Sequence, residues 1–367
     1  MKLSHSKLST ILSCPMTYYL SYVQGISKKE EKSALAIGSA VHWGIEHNTE
    51  DLTEYFGSDM SAYTRDQLLA EAMVHGYLKH KDELFNEMLT DPETGERLEL
   101  KEERHELYIT GMLDTKKFEE KHKFVGIVDL LLLTNKGFVL IDYKTSTYEP
   151  NWDNYLDQIY RYIFLLRSEY PDIPVVKIGI VNIRKTGIRQ KKTENYEQFL
   201  NRMKFEYDLN DEHYVNYHEF PVSSLNAEHI NNYIENLSMM ADTAQTIADN
   251  KLFFINYSAA NGTYGKSDFW DIFYHTPDAH LLYKISDHVW NEDEGAYVES
   301  RDCVPIDMMV IDHDNVLNKY ELFKSLIPRA DELDETFIET LRKNYIIDET
   351  LLGIYFDTFI HELSEKS

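Results

Sequence analysis

Two apolar, β-branched runs constrain this chain more than any other feature. Residues 125–133 and 138–144 are separated only by Thr134-Asn135-Lys136-Gly137. Runs of that length around a Gly-containing turn predict a buried antiparallel hairpin. With Asn135-Lys136 as the loop, Thr134 pairs with Gly137 and paired positions sum to 271. Asp129 then lies opposite Asp142, with Cβ atoms about 4.5–5.5 Å apart. Asp142 and Lys144 are two apart on a strand and share a face. Val128, Leu130, Leu131, Leu132, Leu140 and Ile141 surround these charges. Two opposed carboxylates in so apolar a setting repel each other and lose hydration. A divalent cation relieves both penalties, and hard cations such as Mg²⁺ take carboxylate oxygens at about 2.0–2.1 Å. Lys144, on the same face, can neutralise a phosphate or position a water. The bland reading is a salt bridge between Asp142 and Lys144 at a strand end, with Asp129 exposed. A three-residue loop would also break the register.

The rest of the chain supplies the layers around that hairpin. Leu3, Leu8, Ile11 and Leu12 predict an N-terminal helix capped by Ser4 or Ser6 and interrupted by Pro15. A helix is expected over 33–47, where Ala34, Ala36, Gly38 and Ala40 permit close packing, and helical pattern runs through 65–90. Asp91-Pro92-Glu93-Thr94-Gly95 is a turn signal. After the hairpin come a helix over about 152–167, ended by Pro171, a strand over 175–183 and a helix over 225–250. Helix, antiparallel strands, helix and strand is an α/β layer arrangement.

Composition excludes several classes. Hydrophobic residues at 43% and aromatics at 13% exclude a disordered chain. Apolar runs are too short to span a bilayer. Met1-Lys2-Leu3-Ser4-His5 shows no apolar leader, so a cytoplasmic setting is expected (host cytoplasm if phage-encoded). Cys14 and Cys303 are the only cysteines, too few for a disulfide scaffold or a four-cysteine metal or iron–sulfur site. The net charge of −26 argues at first against a nucleic-acid partner. It is unevenly spread. Residues 276–367 hold 8 basic and 21 acidic residues, a net of −13. This predicts a separate acidic, mostly helical C-terminal extension (helices over 334–345 and 348–363) after a unit spanning 1–275. Conversely, residues 177–192 contain Lys177, Arg184, Lys185, Arg189, Lys191 and Lys192 and no acidic residue. Local positive charge binds phosphates even on an acidic protein, although an ordinary solvated hairpin has the same composition.

Gly126-Ile127-Val128-Asp129 followed by Val139-Leu140-Ile141-Asp142-Tyr143-Lys144-Thr145-Ser146 resembles the core motif of the PD-(D/E)XK nuclease superfamily. The resemblance is closest to its RecB-like branch, which includes CRISPR adaptation nucleases and phage exonucleases. Three further segments match in order: Leu3-Ser4-His5-Ser6-Lys7-Leu8 with Cys14-Pro15 and Tyr18-Tyr19; Gly38-Ser39-Ala40-Val41-His42; and Asp157-Gln158-Ile159-Tyr160-Arg161-Tyr162. The likeness covers about residues 3–190. It implies a restriction-endonuclease-like core, a central mixed sheet flanked by helices, with helical additions.

The resemblance also implies roles. Asp129 and Asp142 would be carboxylate metal ligands and Lys144 the catalytic lysine. His42 would be a further ligand, favouring Mn²⁺ alongside Mg²⁺, and the Tyr143 carbonyl would complete the set. Gln158 and Tyr162, four apart on one helix face, would contact DNA or brace the site; packing alone is the plainer role. Glu46 and Glu106 are lesser candidates for a second metal. Some relatives carry an iron–sulfur cluster. Cys14 sits where its first cysteine would lie, but residues 257–274 resemble the closing segment with its cysteines missing. Cys14 is then a small packing residue. Phe269, Trp270 and Phe273 are expected to hold the closing segment against the N-terminal helix.

The function expected is a metal-dependent DNA nuclease, of exonuclease type, in recombination, replication or DNA processing. Arg184, Lys185, Arg189, Lys191 and Lys192 would contact DNA. No G-x-x-x-x-G-K-[ST] loop is present, so any helicase or recombination partner is a separate chain. The competing reading is a catalytically silent nuclease-fold module that binds or mimics DNA through its acidic C-terminal part. A third reading is CRISPR-type spacer processing, weakened by the missing cysteines. Polarity, strandedness, endonuclease action and oligomeric state stay open at this stage.

Overall fold

The computed structural model describes residues 1–29, 33–57, 64–221, 225–262, 265–274, 276, 279–285, 288–291, 296–299 and 354. The helices expected at 334–345 and 348–363, apart from Ile354 in the second, and Cys303 lie outside the described residues. In chain order the strands used below are β1 (Lys2–Leu3), β2 (Ile26–Lys28), β3 (Leu100–Leu113), β4 (His122–Thr134), β5 (Phe138–Ser146), β6 (Val175–Arg184) and β7 (Val215–Glu219). The helices as far as residue 249 are α1 (His5–Ser13), α2 (Pro15–Tyr18), α3 (Ser33–Glu46), α4 (Thr53–Phe56), α5 (Arg65–Lys79), α6 (Lys81–Met88), α7 (Leu156–Glu169), α8 (Tyr196–Leu209), α9 (Asp211–Tyr214) and α10 (Ala227–Asp249), followed by short helical turns at Tyr257–Ala260 and Trp270–Phe273. The chain forms two compact units. One joins Met1–Glu30, Leu113–Phe124 and Leu237–Ser367; the other joins Glu31–Met112 and Val125–Asn236.

The second unit carries the hairpin. β5 lies between β4, antiparallel to it, and β6, parallel to it; β7 pairs antiparallel with β6, and β3 is joined to the sheet through β4. The sheet is therefore mixed. Its turn has the two-residue loop that the sequence predicts: the Thr134 N–H donates to the Gly137 carbonyl at 2.9 Å. Gly137 sits at φ 147, and a Cβ there would lie 2.2 Å from the Pro174 carbonyl oxygen, so only glycine fits. The ladder runs from Leu133↔Phe138 to Leu130↔Ile141, a register sum of 271.

Parity along the strands sorts the two faces. Leu130, Leu132, Val139, Ile141 and Tyr143 join a core with residues of α3, α5, α6 and α8. Burying one such side chain contributes about 1.5–3 kcal/mol. On the opposite parity stand Leu140, Asp142 and Lys144. α7 also packs on this sheet: Leu165 lies 2.9 Å from where a Gly126 Cβ would stand. This arrangement, a mixed sheet flanked by helices, is a restriction-endonuclease-like core.

β3, α8 and β7 are elements that the sequence reading does not name. The expected single helix over 152–167 is a 3₁₀ turn at Trp152–Tyr155 followed by α7. The helical region 65–90 is two helices, α5 and α6, with a break at His80.

In the first unit, Ser4 caps α1, accepting from Lys7 N–H at 3.2 Å. Cys14 is buried. The contacts with the N-terminal helices come from Phe253 and Asn256, just before the closing segment, rather than from the aromatic trio expected. The Phe253 ring stacks on Tyr19 with centroids 4.6 Å apart, and Asn256 Nδ2 donates to the Ser13 carbonyl at 2.8 Å. β2 pairs antiparallel with Tyr283–Ile285, and Phe269 stacks on Tyr283 at 5.8 Å. Trp270 instead stacks on Tyr274 at 3.9 Å. A buried His122–Asp242 pair, 2.8 Å apart, ties β4 to α10 within this unit. Among the described residues, no helix is long and apolar enough to cross a membrane.

Candidate active site

All site side chains discussed here belong to the second unit. The ladder between β4 and β5 ends at Leu130↔Ile141, one position short of Asp129 and Asp142. From there the Asp129 carboxylate replaces a backbone partner. Its Oδ2 accepts the Tyr143 N–H at 2.7 Å, which fixes its orientation. Asp142 is 1% exposed and Asp129 8%. Lys144 Nζ lies 2.6 Å from Asp142 Oδ2. Asp142 Oδ1 is buried and has no hydrogen-bond partner among the described residues. The salt bridge of the bland reading is thus present, but Asp129 is buried beside it rather than exposed.

A second row of side chains holds Lys144. Its ammonium donates to Gln158 Oε1 at 3.1 Å, and Gln158 Nε2 donates to Tyr162 Oη at 2.8 Å. The Tyr155 ring lies 5.2 Å from Nζ. Gln158 and Tyr162 therefore brace the lysine through one face of α7. The Tyr143 side chain points to the other face, where its hydroxyl meets that of Tyr77 at 2.9 Å.

α3 brings His42 to the same place. Its Nδ1 lies 3.8 Å from Asp129 Oδ1 and 3.7 Å from Glu106 Oε1. One ligand atom from each of His42, Glu106 and Asp129 fits within a span of 4.8 Å. Imidazole and carboxylate oxygens together suit Mg²⁺ or Mn²⁺, and the unpartnered Asp142 Oδ1 supplies a further free donor nearby. The residues present fit a divalent cation. Glu46, the other acidic candidate, is not part of this group. Glu106 has φ 45 inside β3. A non-glycine residue in that region costs about 1–2 kcal/mol, and no sequence pattern foretells it.

The charges act on one another. Burial by itself lowers the His42 pKa, but Asp129, Glu106 and Asp142 outweigh it and raise it to about 9. Burial pushes Asp142 up to about 6, Lys144 pulls it back and Asp129 adds to the rise. Burial alone would lower Lys144, yet Asp142 and Asp129 hold it above its ordinary value. These carboxylates favour the ammonium form of Lys144.

The basic segment divides. Lys177 lies at the far end of β6, paired with Val139 rather than near Lys144, which pairs with Asn182. Its ammonium is buried against the Glu87 and Thr90 carbonyls at 2.6 and 2.8 Å and Glu219 at 2.7 Å. It is a structural cation. Arg184 pairs in register with Ser146, two residues past Lys144, and Lys185 N–H donates to the Ser146 carbonyl at 2.7 Å. These two stand at the site's edge of the sheet. Arg184 also approaches Glu149 at 3.7 Å. The basic segment is strand through Arg184, and residues 185–192 beyond it form no strand. Glu194 shapes this loop, accepting Lys191 N–H at 2.7 Å while pairing with Arg202. The Arg189 carbonyl accepts from Arg202 at 2.8 Å, and the Arg189, Lys191 and Lys192 side chains are exposed.

No curated protein matches the chain. Among solved structures, a "Putative exonuclease" from Eubacterium rectale is similar at 12% identity and TM-score 0.42, covering 67% of this chain and 82% of its own. The structure of SSO0001 is similar at 13% identity and TM-score 0.20, covering 56% and 82%. At these scores neither adds to the argument from residues. A model of the PD-(D/E)XK nuclease superfamily matches residues 2–250, the span that includes every site residue above, and the chain belongs to that superfamily.

Proposed function

We propose that this protein hydrolyses phosphodiester bonds of DNA with a bound Mg²⁺ or Mn²⁺, as an exonuclease in phage-like recombination, replication or DNA processing. The observation that carries this reading is Asp142. Its carboxylate is buried with one oxygen unpartnered, next to Asp129 and in contact with Lys144. A purely structural role does not call for so costly an arrangement. Asp129, Asp142 and His42, with the Tyr143 carbonyl, would hold the cation. A bound divalent ion lowers the pKa of water and stabilises charge developing on a phosphate.

The chain's own groups divide the remaining work. The Tyr143 N–H holds Asp129 in one orientation before substrate arrives. Lys144, kept protonated by the two carboxylates, can donate to a non-bridging phosphate oxygen or to the attacking water. Gln158 and Tyr162 keep Nζ on that line. Arg184 and Lys185, at the adjoining edge of β6, can take flanking phosphates, and Arg189, Lys191 and Lys192 extend that positive surface. No enzyme nucleophile is required. The site reading is tested by Asp142→Ala and Lys144→Ala: both should abolish cleavage. Undiminished cutting by both variants overturns it.

A further inference from the structure

The chain motif supplies two aspartates, a lysine and a histidine, yet the folded site contains another carboxylate. Along β3, Ile109, Gly111 and Leu113 are buried, while Met112 is 54% exposed. Strict alternation would put Glu106 on the same side as Thr110 and Met112. Its left-handed backbone, at φ 45, breaks that alternation. An irregular residue of this kind re-aims a side chain, a device common beside active sites. Here the Glu106 carboxylate ends 3.7 Å from His42 Nδ1 and within the same 4.8 Å group as Asp129. A second observation is independent of β3: Asp142, whose charge is felt by Asp129 and His42, is 1% exposed, and its Oδ1 has no hydrogen-bond partner among the described residues.

We infer that Glu106 is a direct ligand of the divalent cation, delivered to the site by the left-handed residue in β3. This rests on the metal-dependent reading above. The alternative is that Glu106 serves only as an ion-pair partner of His42. The two differ in size of effect. An ion-pair partner does not touch the cation, so its removal leaves affinity within a few-fold of wild type. Removing a ligand weakens binding about tenfold or more.

The experiment is calorimetric titration of the full chain with Mn²⁺ at pH 7, alongside the rise in melting temperature that Mn²⁺ produces. Wild type, Glu106→Gln, Glu106→Gly and Asp142→Asn are compared. Glu106→Gly relieves the backbone strain, so it keeps the test informative if the glutamine variant folds poorly. Both Glu106 variants should bind Mn²⁺ about tenfold or more weakly, with melting in EDTA at or above the wild-type temperature. Affinity within a few-fold of wild type, or tighter, in either folded variant overturns the inference and leaves the metal site standing. Absence of Mn²⁺ binding by the wild type overturns the metal-dependent reading itself, and this inference with it.

Discussion

Gln158 accepts a hydrogen bond from the Lys144 ammonium over 3.1 Å, and passes on a second to Tyr162 over 2.8 Å. One face of α7 thereby fixes the position of the lysine on β5. Without Gln158, Nζ keeps its ion pair with Asp142 and its place over the Tyr155 ring but loses the hydrogen bond that ties it to α7. Gln158→Leu should lower kcat by about 10- to 100-fold with little change in KM, while Tyr162→Phe has a smaller effect. Steady-state cleavage kinetics measure this. A rise in KM with kcat intact would place Gln158 on the DNA instead.

The raised carboxyl of Asp142 has a stability consequence. Folded, it titrates at about 6 against an ordinary 3.8. Between those values the folded state holds more protons than the unfolded one, so this group's contribution falls as pH rises. In EDTA, wild-type melting temperature should decline relative to Asp142→Asn across about pH 4–6. Parallel profiles would mean that the carboxylate is well solvated.

His42 acts in a higher window. Its folded pKa is about 9 against 6.5, so its stabilisation is full below 6.5 and is lost as pH rises through 9. Melting of His42→Gln in EDTA should lack that loss. Because a cation competes with the same proton, Mn²⁺ affinity should rise with pH over this range. Affinity independent of pH would remove His42 from the ligand set.

Lys177 separates folding from DNA binding. Its ammonium is buried on two carbonyls and Glu219. Lys177→Met should cost about 2 kcal/mol or more in urea unfolding and leave DNA affinity unchanged when measured on folded protein. Lys185→Ala should do the reverse, weakening binding and its salt dependence. Weaker DNA binding with unchanged stability in Lys177→Met would make that residue a DNA contact rather than a structural cation.

The hairpin was legible because its register depends only on loop length and local pattern: Gly137 and Thr134 define the turn, and the apolar runs define the faces. α3 and α7 were legible for the same reason. β3 was not, because its first half, Lys101–Glu106, is an unbroken polar run of charged residues and a histidine, without the alternation that marks a strand. α8 did carry a signal, an Asn195/Gln198 capping box before Phe199, Leu200, Met203 and Tyr207. At the site, sequence placed Asp129, Asp142 and Lys144 together because they share one hairpin. The convergence of Glu106 with His42 depends on a single backbone dihedral and on two elements far apart in the chain. No local pattern encodes it. Composition alone does not separate Lys177 from the rest of the basic run, which begins on a buried strand and ends on an exposed loop.

The central claim is cation-dependent hydrolysis of DNA at Asp129, Asp142 and Lys144. Its most direct test is cleavage of end-labelled single- and double-stranded DNA by the full chain in Mg²⁺, in Mn²⁺ and in EDTA. The account predicts shortening of at least one substrate from an end with either cation, and none in EDTA. Equal cleavage in EDTA, or intact DNA under every condition while the protein binds Mn²⁺, would contradict it.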